Sequence, residues 1–201
     1  MEPIEKIFKP KSYNHQGYQG LSEYQLTEHY TLYLGYVNKY NEILTRLKNT
    51  DFAAANQTYS DLRALKIGEN FALNGIKLHE AYFENLGPQQ FVSGKILEMT
   101  TNTFGSYENF KYQFSKCGIA ARGWTILSYD LEQRKLLINC LDAHDQGYLV
   151  NSYPLLVMDV YEHAYLIDYG VKRAIYIEAF FQNIAWNIVN LRLEQALAIN
   201  K

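Results

Sequence analysis

Five histidines stand in this 201-residue chain: His15, His29, His79, His144 and His163. A lone histidine is more often a structural residue than a ligand, so most of these say little one at a time. The run Asp159-Val160-Tyr161-Glu162-His163 is more informative. It closes an apolar stretch, Tyr153 to Val160, so Asp159 sits where a buried strand would end. A carboxylate there needs a partner or a metal to offset its desolvation. The spacing to His163 could bring both groups to one site. The two cysteines, Cys117 and Cys140, lack the spacing of a metal-binding pair and read as two reduced thiols of a cytoplasmic protein.

The elements that must position these groups begin with a helix. Ser22 and Gln25 have the capping-box spacing, and Leu21 with Leu26 fits a hydrophobic staple. The helix should run to about Lys48, because Leu26, His29, Tyr33, Tyr36 and Tyr40 recur every three or four residues. Asn49-Thr50-Asp51 ends it. A second helical stretch covers roughly Ala54 to Leu65, and a third Asn70 to Asn85, closed by Gly87-Pro88. Ser106 can cap a further helix to about Cys117. Trp124–Tyr129 and Lys135–Leu141 are β-prone runs around a polar turn, which predicts a hairpin. Tyr153–Val160 has strand length, although periodicity alone does not separate a strand from a buried helix there. Lys172 to Ile199 is helical again. The fold class is α+β: a helical N-terminal domain over residues 1–102 and an α/β domain over residues 103–201.

Composition narrows the function classes. Apolar residues make up 48% and charged residues 20%, as in an ordinary globular protein. The net charge of −2, with no long block of one sign, argues against a nucleic-acid partner. No apolar run approaches the roughly 18–20 residues that span a bilayer, so no membrane association is expected. The first twenty residues contain no apolar core of a secretory signal.

Several segments together resemble the iron/manganese superoxide dismutase family. Phe104-Gly105-Ser106-Tyr107-Glu108-Asn109-Phe110-Lys111 is similar to the opening of that family's C-terminal domain. Asp159-Val160-Tyr161-Glu162-His163-Ala164-Tyr165 resembles its metal-binding signature, in which the third residue is more often tryptophan. Gly123-Trp124, Pro154-Leu155-Leu156, Lys172-Arg173 with Tyr176, and Asn183-Ile184-Ala185-Trp186 follow in the family's order. In the N-terminal half, Leu21-Ser22 followed by His29-Tyr30 resembles the first ligand helix. His79 precedes Phe83-Glu84-Asn85-Leu86-Gly87-Pro88. The match covers about residues 21–198.

The resemblance implies a helical-hairpin domain, an α/β domain with a three-stranded antiparallel sheet, and a homodimer or tetramer. It implies one iron or manganese ion per subunit, held by His29, His79, Asp159 and His163 and completed by water or hydroxide. Three imidazoles and a carboxylate suit iron, manganese, zinc or cobalt. The implied reaction disproportionates superoxide to O₂ and hydrogen peroxide and needs a metal that alternates between +3 and +2, which zinc cannot do. Tyr36 matches the active-site tyrosine. It lies about 10 Å along the helix from His29 on a similar face. Arg173 matches the arginine that attracts the anionic substrate. Trp124 matches an aromatic wall of the site, and Tyr161 and Phe83 stand where tryptophans are more usual. Glu162 matches the residue that reaches the partner subunit's site.

Four further departures from that family's pattern stand in this chain. The region Tyr30-Thr31-Leu32-Tyr33 lacks the family's gateway histidine, and the segment from His29 to Tyr36 is one residue shorter than usual. Its partner position is Leu166 rather than tyrosine, so a rearranged entrance on a regular α-helix is expected. Gly75, four residues before His79, has no side chain to contact the metal's solvent. His144, between the second and third strand-like runs, is therefore assigned that contact, with Gln146 as the runner-up. Two alternatives to the dismutase are a zinc-loaded hydrolase and a catalytically weak relative that only binds metal.

Overall fold

The computed structural model describes residues 7–199. Helix α1 (Glu23–Leu47) starts where the capping signal places it: Ser22 Oγ accepts from the Gln25 N–H at 3.0 Å, and Leu21 and Leu26 are buried. The reciprocal half of the box is absent. Ser22 N–H donates to Asp168 Oδ2 at 2.8 Å, leaving the Gln25 side chain for another task. All 25 residues of α1 are α-helical without an inserted bulge, as the short His29–Tyr36 spacing predicts.

Helix α2 is one element, Asp61–Asn85, capped by Ser60. The expected pair of helices with a break between residues 65 and 70 is incorrect, and Phe52–Ala54 is only a 3₁₀ turn. Gly68 stands inside the continuous helix. A mid-helix glycine costs about 1 kcal/mol relative to alanine. Here it lets the helices approach: a Cβ at this position would lie 3.2 Å from Ile43 Cδ1. Ile43 late in α1 thus meets Gly68 early in α2, while Tyr33 early in α1 bonds Glu80 late in α2 at 2.9 Å. The two helices form an antiparallel hairpin.

Helix α3 (Gly94–Phe104) was not anticipated, and residue 102 falls inside it. Its threonines and asparagine are weak helix formers. Its start is also fixed from a distance, with Ile96 N–H donating to Asn190 Oδ1 at 3.0 Å. Helix α4 (Tyr107–Ala120) begins at Ser106, whose Oγ accepts from Asn109 N–H.

Strands β1 (Trp124–Asp130), β2 (Lys135–Leu141) and β3 (Ser152–Asp159) form an antiparallel sheet in the order β2-β1-β3. The central strand β1 is buried along its whole length. The pairing sets Trp124 opposite Asp159, so the metal-type carboxylate and the indole leave the same end of the sheet. A 3₁₀ turn, Glu162–Ala164, leads into the short α5 (Leu166–Tyr169). The last helical stretch is two helices, α6 (Arg173–Gln182) and α7 (Trp186–Ile199). Between them Gly87 N–H donates to Asn183 O and Ala185 N–H to Asn85 O, both at 2.8 Å. That exchange stitches the end of α2 to the C-terminal half and interrupts the helix. One apolar core includes Leu26, Tyr82, Trp124, Leu156, Phe180 and Val189, so both halves share it. Among the described residues no helix is long and apolar enough to cross a membrane.

Candidate metal centre

α1 supplies His29, α2 supplies His79, the end of β3 supplies Asp159, and the following 3₁₀ turn supplies His163. Their candidate ligand atoms all lie within 4.8 Å of one another. Asp159 Oδ2 is 3.1 Å from His29 Nε2, 3.1 Å from His163 Nε2 and 3.7 Å from His79 Nε2. Bonds of about 2.0–2.2 Å put ligands at right angles about 3 Å apart and opposite ligands about 4 Å apart. The observed separations fit one ion among these atoms. His29, His79 and Asp159 are fully buried, and the His163 side chain is 26% exposed.

The orphaned atom is the sharper test of fit. His79 Nδ1 is 2.7 Å from Gly75 O and must donate to it, since a carbonyl only accepts. The lone pair of neutral His79 is then on Nε2, which is buried and has no hydrogen-bond partner. A buried acceptor aimed at a carboxylate is unfavourable unless a cation lies between them.

The electrostatics agree. Burial pushes His29 down against the opposing pull of Asp159, and pushes His79 well down. Burial also opposes ionisation of Asp159, but His163 and His29 outweigh it and hold the carboxyl well below its usual range. His163 is lowered by burial and raised more strongly by Asp159, for a net rise. The centre thus offers an ionised carboxylate and imidazoles of which two, His29 and His79, favour the neutral, ligating form.

Beside it lies a second arrangement. Trp124 Nε1 donates to His144 Nδ1 at 2.9 Å. Indole is only a donor, so the proton of neutral His144 sits on Nε2, where it donates to Tyr36 Oη at 2.9 Å. His144 is 1% exposed, and burial pushes its imidazole down to about 4, so it is neutral near pH 7. The Tyr36 ring lies 5.3 Å from that of His79. Gly75 makes this packing possible: a Cβ there would meet Tyr36 Cγ at 3.1 Å and His144 Cδ2 at 3.3 Å. Gln146 is exposed on the same turn, its N–H donating to Ala143 O.

The remaining expected residues divide. Tyr161 stacks on His163, with centroids 5.2 Å apart, and its N–H donates to Asp159 Oδ1 at 2.9 Å. Phe83 lies 5.2 Å from the His29 ring. Glu162 is exposed beside His163, and Leu32 and Leu166 are exposed as well. Among the described residues Arg173 bonds backbone carbonyls and a tyrosine hydroxyl rather than a carboxylate. Its Nη1 donates to Ala121 O at 2.8 Å and its Nε to Tyr165 Oη at 3.1 Å, so it closes the C-terminal end of α4.

Two roles escaped the sequence reading, although both residues were named in it. Gln25, read only as a capping residue, is fully buried. Its Nε2 donates to His163 O at 2.7 Å and its Oε1 accepts from Ile167 N–H at 3.0 Å. Its position one helical turn before His29 was the available signal. Tyr176 Oη donates to Asp159 O at 2.6 Å from α6, which no local pattern could announce.

A helical hairpin joined to a three-stranded antiparallel sheet, with three histidines and an aspartate gathered at their junction, is the framework of a metal-binding protein. The family described as "Iron/manganese superoxide dismutases, C-terminal domain" matches residues 92–192. An iron superoxide dismutase of Aquifex aeolicus is 40% identical over 200 residues, covering 96% of this chain and 94% of the relative. That of Aquifex pyrophilus is 41% identical over 188 residues, covering 90% and 88%. A manganese superoxide dismutase of Haloferax volcanii is 36% identical over 184 residues, covering 89% and 90%. The chain belongs to the iron/manganese superoxide dismutase family.

Proposed function

We propose that this protein disproportionates superoxide to O₂ and hydrogen peroxide, using one iron or manganese ion per chain held by His29, His79, Asp159 and His163. The observation that carries this reading is the buried, unpartnered Nε2 of His79 facing Asp159 within the four-residue cluster. The ion, when bound, supplies one-electron exchange between its +3 and +2 states.

The chain's own residues hold the ion and manage protons. Asp159 contributes a fixed negative charge, anchored by Tyr161 N–H on Oδ1 and by Tyr176 Oη on the backbone carbonyl. Tyr36 and His144 form the proton-holding pair. With His144 Nε2–H directed at Tyr36 Oη, the tyrosine keeps its own hydroxyl proton for a neighbour other than His144. Trp124, Tyr161 and Phe83 wall the centre with rings and exclude bulk water. A groove of about 540 Å³ between α1 and α2 is lined by Tyr36 and Phe71, and its charged residues balance: Lys39 and Arg46 stand beside Glu42 and Asp61. Arg173 adds positive charge while it clamps α4.

We further propose a homodimer in which exposed Glu162 reaches the partner's centre and Leu32 and Leu166 form an apolar entrance in place of a histidine–tyrosine pair. Two unpaired thiols accord with a cytoplasmic setting. The test is metal-stripped protein reconstituted separately with iron, manganese and zinc, then assayed for superoxide consumption. Activity with iron or manganese and none with zinc is expected. Inactivity with both iron and manganese at full occupancy contradicts the reading.

A further inference from the structure

Outside the metal centre, two thiols separated by 23 positions in sequence meet on the far side of the sheet. Cys117 lies in the last turn of α4 and Cys140 is the penultimate residue of β2. Cys140 Sγ donates to the backbone carbonyl of Cys117 at 3.6 Å, which brings the two residues side by side. Cys140 is exposed and Cys117 half-buried. An accessible thiol beside a shielded one is the arrangement in which the first is oxidised and the second resolves it.

We propose that Cys117 and Cys140 are a peroxide-oxidisable pair that closes into an intramolecular disulfide joining α4 to β2. The Cys140 thiolate attacks one oxygen of hydrogen peroxide and breaks the O–O bond. This gives a sulfenic acid, and the departing hydroxide takes up a proton as water. The Cys117 thiolate then attacks Cys140 Sγ, forms the S–S bond and expels the sulfenic oxygen as a second water. In sum, two thiols and one peroxide give one disulfide and two waters, with two electrons passing from sulfur to oxygen.

The pair rests on the proposed function only for the source of its oxidant, since peroxide is the product of that reaction. The response is slow. Burial, the neighbouring Cys117 and Asp142 hold the Cys140 thiol up to about 11, so little thiolate is present near pH 7. The bridge therefore accumulates under sustained peroxide rather than answering a brief pulse. Its placement matters to the centre. Cys140 is four residues before His144, and the end of α4 is already clamped by Arg173. Closing the bridge ties the turn that carries His144 to that clamp.

The experiment treats the metal-loaded protein with hydrogen peroxide, and separately with the dithiol oxidant diamide. Remaining thiols are then alkylated, and the peptides are mapped by mass spectrometry without reduction. The expected product is a peptide pair linked through Cys117 and Cys140 within one chain, two hydrogens lighter than the reduced pair. With Cys117→Ser, Cys140 is expected to stop at sulfenic acid or its higher oxides, trapped by a sulfenic-acid reagent. Full alkylation of both thiols after either oxidant, a link between chains, or a Cys140 that stays unoxidised in Cys117→Ser under the same peroxide treatment overturns the proposal. Superoxide consumption is measured on the same samples. An active protein without the bridge overturns the pairing alone, and an inactive protein that forms it overturns the dismutase reading alone.

Discussion

The two halves of the metal centre are held in different ways. His29 and His79 project from inside 25-residue helices that pack against each other, so their positions follow from two regular backbones. Asp159 and His163 sit at a strand end and in a single 3₁₀ turn, where no repeating backbone bond fixes the chain. That side is pinned by separate groups. Gln25 bonds His163 O and Ile167 N–H, Tyr176 bonds Asp159 O, and Val160 N–H donates to Gly123 O. A helix places a ligand through many weak, redundant contacts. A loop places one through a few individually important contacts, and so the loop side should be the easier to break.

The largest effect should come from the loop-side carboxylate. Asp159→Ala removes the one anion and leaves three imidazoles facing one another. Metal content and superoxide consumption should both fall to background, as measured by elemental analysis beside the activity assay. Retention of the metal by this variant would break the comparison at its root.

Gln25→Leu comes next. It leaves His163 O and Ile167 N–H without partners in a buried place, at about 1–3 kcal/mol for each unsatisfied group. Metal affinity should drop by about 10–100-fold, as for other groups that orient a ligand from behind. The check is competition against a chelator of known affinity. An unchanged affinity would mean that the 3₁₀ turn holds His163 unaided.

Much of this comparison could be read from the sequence, and its limits have physical causes. The helix side was legible because helical periodicity and the Ser22 cap are local patterns, and Asp159-to-His163 is a compact segment resembling its family. Gln25 was visible as a residue but was misassigned, because a glutamine at a capping-box position looks the same whether it turns back to its own helix or across to a loop. Tyr176 and Asn190 act on segments far away in the chain, so neither left a local signal. The continuity of α2 through Gly68 was not legible, because the glycine's conformational cost is visible in sequence whereas the close approach of Ile43 that favours it is not.

Trp124→Phe tests the proton-holding pair more gently. Removing the indole N–H frees His144 Nδ1, so its proton can move to the side away from Tyr36. Metal content should stay near one per chain while turnover falls by about tenfold, in the range typical for loss of an orienting partner. A variant that loses metal in proportion to activity would assign Trp124 to packing instead.

The smallest effect belongs to the helix side. Ser22→Ala should cost about 1 kcal/mol for the lost cap, or about 2–4 °C in thermal midpoint for a chain of this size. Metal content and turnover should not change, because α1 remains held along its length by α2 and the core. Loss of metal together with the cap would show that His29 depends on the end of its helix as His163 depends on Gln25.

The most direct test of the four-residue centre is X-ray absorption on protein loaded with iron or manganese, compared with the same measurement on His163→Ala. The account predicts one ion per chain with nitrogen and oxygen ligands at about 2.0–2.2 Å, outer-shell scattering from three imidazoles, and the loss of one imidazole together with most of the metal in the variant. A metal that binds at full stoichiometry without imidazole scattering, or whose surroundings are the same in His163→Ala, would contradict it.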